Sequence, residues 1–390
     1  MAKLKKKNNQ EPNLDTYTGL NTGFTSAIIG QRRYRILRLF FFKERTFFRL
    51  MVAFVILAAI FYPYPRIAMW VGFCFAAYSA IANDSIQTIG TFIASNDDQP
   101  WWKLWLYIGG IFVITVFVSW SLYDGDVSYQ RLSSKGFSEA PTEFHFLQLA
   151  APLILLIITR VKMPVSTTFL LLSAFSGSAE GIISVTQKSL MGYVISFIMA
   201  TIVWLVLGKF VQRITSGKPN PIWRVAQWII SGGLWSVWVM QDAANIAVFL
   251  DRSLSIWSFV FFAGFIFFGL GLLFYLRGDK IQQIVREKSQ VTDVRAASII
   301  DLVYAAILYY FKVLSTVPIS TTWVFLGLLG GRELAMQFSK HASTGRTAGQ
   351  TISLVLRDVL FAFIGLAISI ILAVLVNPNI QEELGDYFGY

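Results

Sequence analysis

Apolar segments follow one another along nearly the whole chain, near residues 47–64, 67–95, 104–122, 145–160, 165–185, 190–208, 226–250, 254–276, 298–315, 318–334 and 350–376. No single soluble core can hide so many. A helical bilayer crossing takes about 20 residues, so a chain of 390 residues has room for about ten to twelve crossings with loops between them. Charged residues make up only 14%, well under the roughly 25% of a soluble domain. Backbone polar groups in lipid must be satisfied within the segment, and runs of this length do so as helices. The expected class is an all-α polytopic membrane protein. A soluble enzyme and a disordered chain are excluded. The one cysteine, Cys74, lies inside an apolar run, which excludes a disulfide scaffold, and the two histidines, His145 and His341, are too few for a Cys/His zinc site.

The net charge of +11 is concentrated at one end. Residues 1–50 hold eleven basic residues (Lys3, Lys5, Lys6, Lys7, Arg32, Arg33, Arg35, Arg38, Lys43, Arg45, Arg49) against Glu11, Asp15 and Glu44, a net +8 ahead of the first span. Such an arm is expected to be cytoplasmic and held near anionic lipid, with residues 28–49 as a basic amphipathic surface segment. No nucleic-acid-binding module accompanies the charge, so no nucleic-acid partner is expected. The first apolar run begins near residue 47, too late for a cleaved signal peptide.

Two motifs recur. Ala82-Asn83-Asp84-Ser85-Ile86-Gln87 aligns with Met240-Gln241-Asp242-Ala243-Ala244-Asn245, and Pro164-Val165-Ser166-Thr167-Thr168 aligns with Pro318-Ile319-Ser320-Thr321-Thr322. The offsets, 158 between the aspartates and 154 between the prolines, are nearly equal. Glycines Gly177 and Gly331 each follow their proline by 13 positions. Two motifs repeating in one order at one offset signify an internal duplication.

Loop charge indicates its sense. Residues 123–144 carry four acids and two bases, whereas the equivalent residues 277–297 carry five bases and three acids. Opposite Lys/Arg bias in equivalent loops is expected of an inverted repeat. Residues 209–224, with Lys209, Arg213, Lys218 and Arg224 and no acid, read as a cytoplasmic linker. The expected organisation is a basic cytoplasmic arm (1–46), an extra span (47–65), a first inverted repeat (66–208), the linker (209–224), a second repeat (225–376) and an acidic tail (377–390) lying outside. Asp97 and Asp98 run against this scheme, which places them inside.

A proline followed by Ser-Thr-Thr at the head of an apolar run is a helix start, in which the hydroxyls cap free N–H groups. Inside a bilayer such a start is an anion site, because partial positive charge, N–H donors and hydroxyls replace water around an oxyanion. Two brought together by inversion can surround it. Simple capping or helix packing by Ser166, Thr167, Thr168, Ser320, Thr321 and Thr322 is the plainer alternative. Asp84 and Asp242 lie mid-segment, where an acid is costly. With the carboxamides Asn83, Gln87, Gln241 and Asn245 they form oxygen-rich sets suited to Na⁺, or to proton carriage. The alternative for them is pairing with a structural base such as Arg160, Lys162, Arg332 or Lys340.

An Asn-Asp motif paired with a downstream Pro-Val-Ser-Thr-Thr motif, each duplicated, resembles the inorganic phosphate transporter (PiT) family over roughly residues 66–376. The resemblance implies two inverted repeats with broken or re-entrant helices and a central phosphate site at both Ser-Thr-Thr starts. It also implies symport driven by Na⁺ or H⁺. By matching position, Ser166, Thr167, Thr168, Ser320, Thr321 and Thr322 would contact phosphate, while Asp84, Asp242 and Asn245 would serve Na⁺. The chain departs from the family pattern at Ile81-Ala82 and Val239-Met240, in the longer carboxamides Gln87 and Gln241, and in Phe169 and Trp323, which stand where histidines are usual. A longer side chain displaces its oxygen by about 1.5 Å, which matters in a tight cation shell.

The expected function is secondary active transport of inorganic phosphate, coupled to Na⁺ or H⁺, in the plasma (inner) membrane. No covalent chemistry and no other cofactor are expected, and a homo-oligomer is compatible with the reading. A sulfate or other oxyanion permease, a passive anion channel and a membrane scaffold remain as alternatives. An aspartyl protease is disfavoured, because Asp84 and Asp242 follow Asn83 and Gln241 rather than the Tyr and Gly of such enzymes. Lesser expectations are interfacial anchoring by Trp101, Trp102, Trp105, Tyr387 and Tyr390, close helix packing at Gly264, Gly269 and Gly271, a bend at Gly330-Gly331, and salt bridges from Glu180 or Glu333 to Lys188 or Arg332.

Overall fold

The computed structural model describes residues 26–29, 32–35, 44–96, 98–133, 137–160, 165–215, 217, 219–276, 293–314, 318–338 and 348–388. Most of the basic arm, Pro164, and residues 277–292 lie outside these. The chain divides into two compact units, Met1–Ile56 and Leu57–Tyr390. In the first, β1 (Ser26–Ile29) pairs antiparallel with β2 (Arg32–Arg35), Ile29 opposite Arg32, and α1 (Arg45–Phe61) begins. Of the stretch 28–49, expected as one amphipathic segment, residues 30–31 and 36–43 lie outside the described residues; the others belong to β1, β2, the turn at Glu44 and the start of α1.

The second unit is helical. After α1 come α2 (Pro65–Ser79), a five-residue π-helical stretch (Ala80–Asp84), α3 (Ser85–Ser95), α4 (Trp101–Leu122), α5 (Phe146–Arg160), a second π-helical stretch (Thr168–Leu172) and α6 (Ala179–Thr215). Then follow α7 (Ile222–Ala247), α8 (Ile256–Tyr275), α9 (Val294–Leu314), α10 (Thr321–Phe338), α11 (Ala348–Val376) and α12 (Pro378–Phe388). Proline at the first helical position of α2 fits because its missing N–H has no partner there in any case. Among the described residues, six helices are long and apolar enough to cross a membrane by length and composition. Helices α7 and α10 are also long, but carry the polar motifs. Segments 165–185 and 190–208 do not appear as two helices. The chain turns at Ala174–Ser178 and then runs as a single 37-residue helix, α6.

The burial pattern is that of a protein in lipid. On α6, Ile183, Leu190, Val194, Ile198 and Ile202 are exposed at intervals of four or seven residues, an apolar stripe on the outer face of the helix. On the inner side of the bundle lie Ser189 and Ser196, both fully buried. An apolar exterior over a polar interior is stable only where the solvent is hydrocarbon.

Equivalent parts of the duplication pack in equivalent ways. Helix α4 lies against α8, its counterpart, with Trp105 Nε1 donating to the Phe267 carbonyl at 2.8 Å. Helix α10 of the second half packs on α6 of the first, while the π-helical stretch Thr168–Leu172 packs on α11 of the second. Glycines permit the first of these contacts. A Cβ on Gly327 would meet the Tyr193 carbonyl, and one on Gly331 the Phe197 carbonyl. At Gly330-Gly331, where a bend was expected, α10 runs on without interruption, and Gly331 allows close approach to the Phe197 carbonyl. Gly269 and Gly271 do face neighbours, Ile81 and Trp105, but Gly264 faces open space. Glu333 pairs with Arg332 at 3.1 Å. Asp98 pairs with Arg224 at 2.8 Å, so the short acidic loop lies beside the basic linker and is partly neutralised by it.

Candidate functional site

Both Ser-Thr-Thr segments begin their helices as the residue types require. Ser166 Oγ accepts from the Phe169 N–H at 3.2 Å, and Ser320 Oγ accepts from the Trp323 N–H, also at 3.2 Å. These are matching N-terminal caps at matching positions. The two starts meet. Thr168 Oγ1 donates to the Ile319 carbonyl at 3.3 Å, and the rings of Phe169 and Trp323 lie edge to face with centroids 5.1 Å apart. The residues standing in the place of the family's histidines therefore form an apolar contact between the halves.

The aspartates complete the correspondence. Thr167 donates its hydroxyl to Asp84 Oδ2, and its counterpart Thr321 is likewise buried, with its side chain close enough to act on Asp242. Asn83 Nδ2 donates to Asp84 Oδ1 at 2.8 Å, while Asn245 Nδ2 donates to Asp242 Oδ1 and, at 3.2 Å, to Thr168 Oγ1 of the other half. The two carboxylates are close enough to act on each other electrostatically. Each of Asn83, Asp84, Ser166, Thr167, Thr168, Gln241, Asp242, Asn245, Ser320, Thr321 and Thr322 is at most 3% exposed. Eleven of the twelve sequence-derived site residues thus lie in the interior; the side chain of Gln87 is outside the described residues. Of the bases considered as structural partners, Arg332 is taken up by Glu333 and the Trp204 ring, and Lys162 and Lys340 lie outside the described residues. The hydrogen-bond partners of Asp84 are Asn83 and Thr167 and that of Asp242 is Asn245, while a base not considered from the sequence, Arg131, acts on Asp242 through its charge.

The halves differ in one respect. Both oxygens of Asp84 accept hydrogen bonds. In the second half, Gln241 Oε1, Asp242 Oδ2 and Asn245 Oδ1 are all buried without a hydrogen-bond partner. Gln241 spends its donor on the Leu308 carbonyl, at 3.0 Å. Three orphaned acceptors within five residues, and no orphaned donor beside them on that helix, form an oxygen-only set that fits a small hard cation. Among the described residues there is no group of three or more His, Cys, Asp and Glu side chains placed to hold a metal ion.

Sequence reasoning missed three residues. Tyr304 is 2% exposed and donates to the Thr321 carbonyl at 3.0 Å. Asp301 is equally buried, with Thr91 donating at 2.7 Å and Ser231 at 2.6 Å to its two oxygens. As an acid in an apolar segment Asp301 carried a signal, but it has no duplicate. Arg131 comes from the loop after α4, on a short 3₁₀ turn (Arg131–Ser133), is 2% exposed, and donates from Nε to the Met240 carbonyl at 2.9 Å. Burial pushes its guanidinium down to about 10, and the nearby Asp242 charge opposes that shift. It stays charged at neutral pH. Nothing in a loop sequence distinguishes such an arginine from a solvated one.

No family model matches the chain, and no curated protein matches its sequence. Among solved structures it is similar to "the sodium-dependent phosphate transporter", with a TM-score of 0.53 and 16% identity over 83% of this chain and 99% of that one. At that identity the likeness is one of fold: apart from the β1–β2 pair the described chain is helical, a multi-pass membrane protein that follows this transporter along nearly the whole of the transporter's length.

Proposed function

We propose that this protein is a secondary active transporter of inorganic phosphate, coupled to Na⁺ or H⁺, and a divergent member of the PiT family. The observation that carries the reading is the duplicated arrangement: two capped helix starts, each with its middle threonine beside the aspartate of its own half, facing each other in a buried interior. Hydroxyls and helix starts suit an oxyanion, and carboxylates with carboxamide oxygens suit the cation that must accompany it. Two inverted repeats, with the site near the bilayer midplane, give alternating exposure by rocking of one half on the other. The reciprocal packing of α10 on α6 and of Thr168–Leu172 on α11 supports that arrangement, as does the likeness in fold to a sodium-dependent phosphate transporter.

In the cycle proposed, a cation enters at Gln241, Asp242 and Asn245 and offsets the carboxylate charge. Phosphate then binds at the Ser-Thr-Thr starts, and only the fully loaded or empty site changes exposure. The reading places the basic arm on the cytoplasmic side against anionic lipid, the C-terminus outside, and the protein in the plasma (inner) membrane, with a homo-oligomer permitted. Sulfate transport is the second reading, favoured by one observation: both oxygens of Asp84 already accept hydrogen bonds. Phosphate, unlike sulfate, keeps an O–H that can donate to Asp242 Oδ2.

Equilibrium binding tests the reading. Labelled phosphate should bind the purified protein in Na⁺ or at acidic pH and resist excess sulfate. Asp84→Asn and Asp242→Asn should abolish cation-dependent binding while the protein stays folded. Displacement by sulfate would favour the second reading; full binding by both variants would refute the first.

A further inference from the structure

The loop that follows α4 is built to hold one side chain. Asp124, Tyr129 and Gln130 have positive φ angles of 49°, 53° and 61°, a conformation that costs non-glycine residues roughly 1 kcal/mol or more each and persists only where surroundings enforce it. The enforcement is visible. Asp126 accepts from the N–H groups of Ser128 at 2.7 Å and Gln130 at 2.6 Å. Ser119 of α4 donates to the Asp126 carbonyl at 2.7 Å and accepts from the Tyr129 N–H at 3.0 Å. The Tyr129 hydroxyl donates to the Thr115 carbonyl at 2.7 Å, and Lys312 lies 5.4 Å over its ring. The residue after this strained pair is Arg131, inserted into the protein interior and bonded to the carbonyl two residues before Asp242. Burying a guanidinium costs several kcal/mol unless a negative group compensates it, and its charge acts on Asp242.

We propose that Arg131 is a fixed cation of the transport site, so that one mobile cation suffices there. The inference rests on the phosphate-transport reading and deepens it. With both carboxylates ionised, the one guanidinium leaves the empty site at −1, so a single mobile cation brings it to neutrality before the anion enters. Among the described residues, three orphaned oxygens lie together, on Gln241, Asp242 and Asn245, and provide one such position; the orphaned Ser79 Oγ is on another helix. Arg131 thus sets both the attraction for the anion and the number of cations that travel with it. It is a positioning and charge-setting residue; the loop geometry holds it there.

The test uses full-length protein in detergent, with labelled phosphate and labelled Na⁺. Wild type should bind one Na⁺ per phosphate at saturation; where phosphate binds without Na⁺, the count is made for protons taken up from weakly buffered solution. Arg131→Gln should weaken phosphate binding by about tenfold or more, the usual cost of one charged hydrogen-bonding partner. It should also tighten cation binding by about tenfold, because a repelling neighbour is gone. Arg131→Lys should return both constants to within about threefold of wild type. A purely structural arginine would weaken both together. Two cations per phosphate in wild type would overturn the inference, as would a folded Arg131→Gln protein with both constants unchanged or both weakened. The cation count stands even if Arg131→Gln does not fold. Wild type that binds no phosphate with any cation overturns the functional reading and this inference with it. Phosphate binding with two cations overturns only the role of Arg131.

Discussion

Thr167 and Thr321 are the residues at which the duplication becomes chemistry. Each is buried beside the aspartate of its own half, Thr167 donating its hydroxyl to Asp84, so removing either hydroxyl takes a polar group away from a carboxylate that water does not reach. Hydrogen bonds to charged groups contribute about 1.5–3 kcal/mol. Thr167→Ala and Thr321→Ala should each reduce phosphate affinity by roughly tenfold to a hundredfold, and Thr→Ser should recover most of the loss at both positions. Titration with labelled phosphate checks this. Equal losses are expected of equivalent positions, and a large effect at one with none at the other would break the equivalence. These residues were legible because polar side chains in an apolar run are rare, and their recurrence in one order made chance untenable. Arg131 was not legible. Its importance lies in a loop conformation set by Asp126 and Ser119, and in a partner, Met240, that is 109 positions away. Tyr304 escaped for a similar reason, since a tyrosine in an apolar helix is ordinarily unremarkable.

Among the elements, α10 depends most on one small residue. A side chain at Gly331 would collide with the Phe197 carbonyl of α6, and backbone cannot move aside as a flexible side chain can. Gly331→Leu should therefore lower stability by about 1–3 kcal/mol, the usual cost of overpacking, and depress the melting temperature in detergent. Gly264→Leu, at a position facing open space, serves as the control and should leave it nearly unchanged. Equal behaviour of the two would contradict the packing described. Helix positions were largely legible, from 101–122 to 348–376, because hydrocarbon leaves the backbone few alternatives. Helix ends inside the apolar stretches were not. Residues 165–208 gave two runs of similar character, but the structure joins most of them into α6. The π-helical stretches at Ala80–Asp84 and Thr168–Leu172 had no sequence mark other than the motifs themselves. Both carry motif residues, in keeping with the association of π-helical turns with functional sites.

At the scale of the whole molecule, an apolar exterior surrounds an interior in which two halves present matching helix starts and matching acids to each other. Opposite loop charge, visible in the sequence, is what an inverted arrangement of the two halves would show, and Asp98, which runs against it, pairs with Arg224. Transport requires that this interior open to one side at a time with its charges balanced. The central claim is therefore that phosphate moves only with a cation, and the most direct measurement is uptake of labelled phosphate into liposomes containing the purified protein, with Na⁺ and H⁺ gradients imposed separately and excess unlabelled sulfate as competitor. The account expects phosphate to accumulate above its external concentration under one of the two gradients, unaffected by sulfate. Phosphate flux that runs only downhill and ignores both gradients, or uptake no greater than in protein-free liposomes, would contradict it.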